Sequence, residues 1–306
     1  MKRRTMSGTP STQQLLRPLE LLGGGYAMLA LDQRESLRRM FPPIDGKPVS
    51  DQTLRDFKSE ALNVLTPFAS GVLVDRPYTA TDARPAGLAE NCGLILAADV
   101  LDQPAGMPVV DTWLDPLVTT EFIRHVGAVA IKYLVIWRDD DQRTRRGEGV
   151  RKFVDLAKQA GVASLVEGIV RPAGRDDWTD AAARHRAVLA AAEDLSSYGG
   201  SIYKAEVPGY LPGDLSLVRE QSQQLSGRVG GPWVVLSNGV ERADFAGAVR
   251  EACLGGASGF LAGRAIWSDT VGEVDIASAL GERSRDRLQQ LTEIVAESVG
   301  SWTRPG

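Results

Sequence analysis

Eight short runs of apolar residues, separated by longer stretches with helical spacing, extend through the sequence from Tyr26 onward. The runs are YAMLALD, GVLVD, GLILAAD, AVAIKYLVIW, ASLVEGIV, SIYKAEV, WVVLS and GFLAG. Near-continuous apolar strands between helices are typical of a parallel sheet that is covered on both faces. Eight such units in about 250 residues match the size of a (β/α)8 barrel. We therefore predict an α/β fold, built as a single (β/α)8 barrel.

The competing architecture is a doubly wound open sheet, which usually carries a GxGxxG motif directly after its first strand. The sequence has no such motif there, because Gly23–Gly25 precede the strand. We expect the barrel to occupy residues 20–300 and residues 1–19 to form a mobile tail. Segment 99–122 is less regular, with a helix expected from near Pro116. Helical spacing predicts further helices at 51–65, 149–160, 178–195, 242–254 and about 283–299.

The composition narrows the class of partner. The chain has 306 residues, of which 43% are hydrophobic and 24% charged, as in an ordinary globular protein. A net charge of −4 argues against nucleic acid or a membrane surface as a partner. No apolar run reaches the ~18 residues that a membrane span needs. We expect a cytoplasmic homo-oligomer that acts on a small molecule.

Cysteine and histidine usage gives no sign of a metal site. Cys92 and Cys253 lie among small or apolar neighbours, which favours two reduced thiols, with a disulfide between them as the alternative. The only histidines, His125 and His185, are interpreted as surface or packing residues. Neither HExxH nor CxxC spacing occurs, so no metal is predicted.

Lys204 lies at the centre of GGSIYKAEVPGY, residues 199–210. A short strand is delimited by two glycines before Lys204 and by Pro208 and Gly209 after it. A lysine in an apolar strand loses the hydration of its ammonium group, which favours the neutral amine. A neutral amine can attack a carbonyl and form a Schiff base.

Lys132, in AVAIKYLVIW, is the second of seven lysines to fall in a predicted strand. The other five, Lys58 among them, fall in the tail, in a Pro/Gly loop or at polar helical positions. Two strand-borne lysines in one site would each disfavour the positive charge of the other. The alternative for either lysine is a side chain that reaches from the strand end to solvent.

Polar residues recur where the predicted strands end, which is where a (β/α)8 barrel carries its chemistry. Asp32 follows the first strand, Lys132 lies in the fourth, Glu167 in the fifth and Lys204 in the sixth. A carboxylate inside SLVEGIV is costly to bury unless it is paired or functional. Glu167 is therefore predicted to transfer protons beside the lysines, with a purely structural Lys–Glu pair as the alternative.

The last two strands end in LSNGV and LAGRAIW, which predict an anion site. Their glycines allow backbone N–H groups near Ser237, Asn238 and Gly263 to approach an anion, and Arg264 adds a bidentate donor. Three further arginines, Arg34, Arg138 and Arg171, stand near the same rim and are predicted to bind a second anionic group. For Arg138, which precedes three aspartates, a solvated loop is the alternative.

Several motifs resemble a known family: YAMLALDQRESLRRMF, IKYLVIWR, LVEGIVRP, IYKAEVP, PWVVLSNGV and GASGFLAGRAIW. They are similar to the class I aldolases that include tagatose-bisphosphate aldolase, and most of all to the bacterial sulfofructosephosphate aldolases of sulfoquinovose breakdown. The resemblance extends from about residue 23 to residue 267. Two positions depart from the sulfo-sugar branch: Asn238 replaces a serine, and Gly168 replaces a proline.

The resemblance implies a role for each matching residue. Lys204 forms the Schiff base, Lys132 assists it, Glu167 moves protons, and Asp32 with Gln33 orients substrate hydroxyls. Residues after the last two strands bind an acidic end of the substrate, namely Ser237, Gly239, Gly263 and Arg264.

The predicted function is cleavage of 6-deoxy-6-sulfofructose 1-phosphate to dihydroxyacetone phosphate and sulfolactaldehyde by a covalent imine, without metal or other cofactor. Two alternatives stay open. One is a class I aldolase of tagatose or fructose 1,6-bisphosphate, which would share every catalytic residue. The other is a barrel that binds sugar phosphates without catalysis.

Overall fold

A computed structural model of the chain describes residues 10–104, 106–174 and 178–300. Eight parallel strands form a closed barrel in which the first strand pairs with both the second and the eighth. The strands are β1 (Tyr26–Leu31), β2 (Gly71–Val74), β3 (Gly93–Ala97), β4 (Ala130–Trp137), β5 (Ala163–Val170), β6 (Ile202–Ala205), β7 (Trp233–Val235) and β8 (Gly259–Ala262). The predicted (β/α)8 barrel is confirmed.

Helices cover the outside of the barrel and connect its strands. The long helices are α3 (Asp51–Leu65), α5 (Arg143–Ala160), α6 (Ala181–Ser196), α7 (Val218–Arg228), α8 (Arg242–Leu254) and α11 (Arg285–Ser298). The short ones are α1 (Thr12–Leu16), α2 (Glu35–Arg38), α4 (Thr120–His125), α9 (Arg264–Trp267) and α10 (Ile276–Ala279). Within the described ranges, no helix is both long and apolar enough to span a membrane.

Successive side chains of each strand point alternately outward, to a core under the helices, and inward, to the interior of the barrel. In β4, Tyr133 and Val135 pack outward against the helices, whereas Leu134 and Ile136 face the barrel interior. Lys132 has the parity of the inward residues. The lower half of the interior is apolar, with residues such as Met28 among its members. Polar side chains are therefore concentrated in the upper half, at the carboxyl ends of the strands.

The N-terminal segment closes the lower end of the barrel. Residues 1–9 of the predicted tail lie outside the described residues. Leu16 of α1 and Leu19 of the following 3-10 turn (Arg17–Leu19) are buried against the lower interior core. The prediction of a mobile segment is thus wrong for residues 12–19, because two apolar side chains are anchored under the barrel.

A two-stranded antiparallel hairpin, Asp99–Asp102 with Asp111–Leu114, lies between β3 and β4. The sequence predicted only an irregular segment there, with a helix from near Pro116, whereas α4 begins at Thr120. Leu101 and Val109 of this hairpin pack on the inward residues of the upper barrel. The hairpin therefore covers part of the barrel mouth.

Both cysteines are free and buried, so the alternative of a disulfide is wrong. Burial raises the pKa of each thiol, Cys92 and Cys253, to about 12. Neither cysteine is a candidate for nucleophilic chemistry, because the thiolate is the reactive form.

Candidate active site

Glu167 and Lys204 face each other across neighbouring strands. β5 and β6 pair in parallel with Glu167 in register with Lys204. Both side chains are buried and lie on the inward face, since the preceding residue of each strand, Val166 or Tyr203, belongs to the outward core. Lys204 Nζ lies 3.0 Å from Glu167 Oε1. That separation is within reach for proton transfer between the amine, the carboxylate and a bound substrate.

Lys132 contacts three carboxylates. Its Nζ lies 2.8 Å from Asp32 Oδ2, 2.7 Å from Asp99 Oδ2 and 3.5 Å from Glu167 Oε2. Burial alone would lower the pKa of Lys132, but the carboxylates outweigh burial and raise that pKa above its ordinary value. The predicted mutual loss of positive charge is therefore wrong for Lys132, because the three carboxylates favour its ammonium form. Neither lysine reaches solvent: the side chains of Lys132 and Lys204 are 1% and 5% exposed.

Asp32 lies at the end of β1 as an anion. Burial would raise the pKa of this carboxyl group, but the charges of Lys132 and Lys204 hold the pKa well below its usual range. A carboxylate and an ammonium group that favour each other's charged form can orient hydroxyl groups of a bound sugar.

Asp99 completes the surroundings of Lys132, although the sequence assigned it no role. Its Oδ2 also accepts a hydrogen bond from the backbone N–H of Leu134 at 3.0 Å. Its Oδ1 and its main-chain carbonyl accept from Arg34 at 3.2 and 2.8 Å. The available signal was position, because Asp99 directly follows the apolar run of β3 just as Asp32 follows that of β1.

A cavity opens above these charges at the barrel mouth. The structure brings the following predicted residues together in its lining: Asp32, Gln33, Lys132, Glu167, Arg171, Lys204, Asn238 and Arg264. Arg264 donates a hydrogen bond to Asn238 Oδ1. Burial lowers the pKa of Arg264, and the carboxylates of Asp32 and Glu167 oppose that shift. A cation in this position can bind an acidic substrate group.

The predicted anion residues at β7 and β8 divide between two surfaces. Ser237 and Gly239 line an adjoining cavity that shares Arg264 with the first. Gly263 lines neither cavity. A Cβ atom on Gly263 would lie 2.3 Å from the carbonyl oxygen of Ala30, so glycine is needed here to let β8 approach β1.

Two arginines that were predicted to face the substrate point elsewhere. Arg34 turns beneath the cavity toward Asp99, and Arg138 donates to the carbonyl of Val110 at 3.0 Å and so secures the hairpin. Neither lines the cavity above Lys204. The position of a residue at a strand end predicts where its main chain lies, but it does not predict where a long side chain points.

Arg39, just after α2, is a cavity residue that the sequence did not reveal. Its side chain lines both cavities, and its guanidinium donates to the carbonyl of Met107 at 3.3 Å. Arg39 falls inside the motif YAMLALDQRESLRRMF, but no role was assigned to it, because it comes from a helix terminus and not from a strand end.

Within the described residues, no group of three or more His, Cys, Asp or Glu side chains has the arrangement of a metal site. The acidic groups of the cavity are instead paired with lysine and arginine.

Residues 26–269 match the DeoC/LacD family of aldolases. The match covers most of the chain and all eight strands. The chain belongs to this family. It is an aldolase, and hence a lyase, as the sequence predicted.

Named relatives are distant but match over almost their full length. The tagatose 1,6-diphosphate aldolase 2 of Enterococcus faecalis is 27% identical, over 91% of this chain and 92% of that protein. The tagatose 1,6-diphosphate aldolase of Listeria monocytogenes is 26% identical, over 92% of this chain and 91% of that protein.

Solved structures share the fold at lower identity. An archaeal fructose 1,6-bisphosphate aldolase has a TM-score of 0.64 and 18% identity, covering 94% of this chain and 99% of that one. The fructose-bisphosphate aldolase of Plasmodium falciparum has a TM-score of 0.68 and 13% identity, covering 94% of both chains.

Proposed function

We propose that the chain cleaves a ketose 1-phosphate that carries a second acidic group, by a covalent imine on Lys204, and that this substrate is 6-deoxy-6-sulfofructose 1-phosphate. The observation that carries the proposed mechanism is the buried Lys204–Glu167 pair, with Nζ and Oε1 3.0 Å apart. A binding protein that performs no catalysis has no need of a desolvated amine beside a carboxylate.

The reaction starts when Lys204 attacks the C2 carbonyl and water leaves, which gives a protonated imine. Glu167 then accepts the proton of the C4 hydroxyl group while the C3–C4 bond breaks. The bonding electrons move to the iminium nitrogen and form an enamine, and the aldehyde leaves. Protonation at C3 and hydrolysis of the imine release dihydroxyacetone phosphate and free Lys204.

Lys132 is assigned the role of a fixed positive charge rather than a second nucleophile. Its three carboxylate contacts keep it protonated. A fixed cation that is itself buried stabilises negative charge that develops on the substrate oxygens during carbonyl attack and cleavage. Asp32 and Gln33 line the same cavity and are proposed to orient the hydroxyl groups.

The two ends of the cavity differ in a way that supports a sulfonate at the far end. Near β7 and β8, Arg264 is accompanied by Asn238, Ser237 and Gly239, which suits a phosphate. Across the barrel, Arg171 follows β5 beside apolar residues of the wall and the hairpin: Leu101, Val109, Ile136 and Ile169. A phosphate carries nearly two negative charges and a sulfonate only one. Arg171 beside an apolar wall, with Arg39 shared between the two cavities, therefore matches the sulfonate better.

The second candidate is a class I aldolase of tagatose or fructose 1,6-bisphosphate. The observation that favours it is the name of the relatives at 27% and 26% identity, which are tagatose 1,6-diphosphate aldolases. Both candidates use the same reaction and differ only at the far end of the substrate.

The mechanism is tested by incubation with dihydroxyacetone phosphate and borohydride, followed by peptide mass spectrometry. We expect one reduced adduct, on Lys204, and we expect cleavage activity to be unchanged by EDTA. An unmodified protein, or activity that EDTA removes and zinc or magnesium restores, contradicts the imine mechanism.

The substrate is tested by ranking kcat/KM for sulfofructose 1-phosphate against tagatose and fructose 1,6-bisphosphates. We expect the sulfo-sugar to rank first, and Arg171→Ala to reduce that preference. If either bisphosphate equals or exceeds the sulfo-sugar, the second candidate is correct and the imine mechanism is retained.

A further inference from the structure

A second set of buried charges lies behind the active site. Lys58, which the sequence placed among polar helical positions, is completely buried on α3. Its Nζ lies 2.8 Å from Oδ1 of Asp75, which directly follows β2 and is also fully buried. Neither residue lines the cavity. Removing two charges from water carries a large desolvation penalty. Contacts within the protein must therefore explain why this pair is buried.

Two neighbours of Lys58 offset part, but not all, of the effect of burial on its charge. Burial lowers the pKa of Lys58, and the Asp75 carboxylate opposes that shift. The ring of Tyr78 lies beneath the ammonium group, with its centroid 5.4 Å from Nζ, and an aromatic face stabilises a cation. The pair therefore presents a carboxylate with one oxygen left for another partner.

That second oxygen faces Arg34. Asp75 Oδ2 lies 3.8 Å from Arg34 Nε, and neither atom has a hydrogen-bond partner elsewhere in the described structure. The other end of the same guanidinium donates to Asp99 at 3.2 Å, and Asp99 contacts Lys132 at 2.7 Å. The charges of Lys58, Asp75, Arg34, Asp99 and Lys132 thus alternate in sign from α3 to the centre of the site.

Arg34 also connects this line to the opposite side of Lys132. It follows Asp32 and Gln33 directly in the sequence, so its side-chain contacts restrain the loop that carries Asp32. Lys132 is then held between two carboxylates, Asp32 and Asp99, and both depend on the position of Arg34.

We propose that Lys58 and Asp75 are positioning residues of the aldolase: they hold Arg34 against Asp99 and thereby fix Lys132 and Asp32 for catalysis. This inference rests on the proposed imine mechanism. It assigns Arg34 to positioning rather than to substrate binding, in contrast to the sequence-based prediction. A pair that served only to fill the core would be replaceable by uncharged groups without a change in catalysis.

The test uses Lys58→Met combined with Asp75→Asn, because the single change would leave Asp75 as an unpaired buried charge and impair folding. Borohydride trapping counts the competent sites, so kcat is measured per trapped Lys204. We expect kcat to fall about tenfold or more, since small displacements of catalytic groups have effects of this size. We expect KM within about twofold of wild type, because neither residue contacts the substrate.

Arg76→Met combined with Asp115→Asn is the matched control, because it likewise replaces both members of an ion pair. Arg76 follows Asp75 and pairs with the buried carboxylate of Asp115 at 2.8 Å, and among the described residues no hydrogen bond or ion pair joins it to Arg34 or Asp99. We expect the kcat of this control within about twofold of wild type. A Lys58→Met/Asp75→Asn variant with wild-type kcat would overturn the inference, as would a control variant that loses as much.

Arg34→Gln decides the matter if the double variant does not fold, because it leaves the Lys58–Asp75 pair intact. We expect the same fall in kcat with little change in KM. A wild-type kcat, or a raised KM with unchanged kcat, would return Arg34 to substrate binding and reject the inference. Failure of the wild-type protein to form any adduct would instead reject the proposed mechanism itself.

Discussion

Lys132 and Lys204 are two lysines of one barrel interior that share the carboxylate of Glu167, yet their surroundings differ. Lys132 contacts Asp32 and Asp99 in addition to Glu167. In the described structure, Lys204 forms a single ion pair, and its partner is Glu167. Burial is the same for both, so it cannot be what separates their roles. The number of carboxylates within contact distance distinguishes them.

In the proposed mechanism, this difference assigns Lys132 to electrostatics and Lys204 to nucleophilic attack. An ammonium that is neutralised by three carboxylates does not release its proton readily, and only a free amine can attack a carbonyl. Those carboxylates come from β1, the end of β3 and β5, far apart in sequence. The division of labour is therefore a property of the closed barrel and not of either lysine motif.

Among the variants that test this contrast between the two lysines, Lys204→Ala is expected to have the largest effect on activity. It should abolish the borohydride-stable adduct and lower kcat by on the order of 10⁴-fold or more, as loss of a covalent nucleophile does. Lys132→Met should still give an adduct on Lys204. An adduct on Lys132 in the Lys204→Ala protein would show that the two lysines are interchangeable. Peptide mass spectrometry distinguishes the two outcomes.

Glu167→Gln tests the group that the lysines share. The substitution keeps the shape and removes the base, so cleavage should fall by roughly 10²–10⁴-fold. Imine formation should persist in part, because Lys204 is intact. Stopped-flow cleavage and borohydride trapping separate the two steps. Near-normal cleavage would leave Glu167 with only a structural role, as partner of the lysines.

Lys132→Met measures what the fixed cation contributes to folding. Asp32 would lose its ion-pair partner and Asp99 would keep only Arg34. Loss of one member of a buried ion pair typically destabilises by about 3–5 kcal/mol. Denaturant unfolding gives this free energy directly. Lys158→Met is the control, since the Lys158 side chain is 67% exposed and should change stability by less than about 0.5 kcal/mol. Equal stability of the two variants would contradict the assigned role of Lys132.

The fold was predictable because its signal is local and repeated. Strand and helix periods alternate along the chain, and helices Asp51–Leu65 and Arg242–Leu254 begin and end as predicted. The hairpin between β3 and β4 was missed because proline-containing runs obscure a strand pattern. Residues 12–19 were missed because only three apolar side chains, Leu15, Leu16 and Leu19, attach them to the barrel.

The four residues predicted at the strand ends, Asp32, Lys132, Glu167 and Lys204, meet in one cavity, because position along a strand fixes the depth of a side chain in a barrel. Arg34 and Arg138 were misplaced, because a long side chain can turn away from the strand end that carries it. The burial of Lys58 was predictable from the sequence. It lies on the same helical stripe as Leu54, Phe57, Ala61 and Leu62, at i, i+3 and i+4 spacing that marks the buried face.

The smallest expected effect concerns Asp32, a carboxylate that contacts Lys132 but not Lys204. Because its pKa is lowered in the folded protein, its contribution to stability is complete above the unfolded-state pKa of about 3.9 and is lost as pH falls toward the folded-state pKa. The free-energy gap between wild type and Asp32→Asn should therefore be constant above about pH 5 and shrink in more acidic solution. Asp139→Asn, at a side chain that is 83% exposed, should show a small gap that changes little with pH. A gap for Asp32→Asn that grows on acidification would mean that Asp32 is protonated more easily in the folded state. In that case burial, and not the neighbouring ammonium groups, would determine the direction of the pKa shift of Asp32.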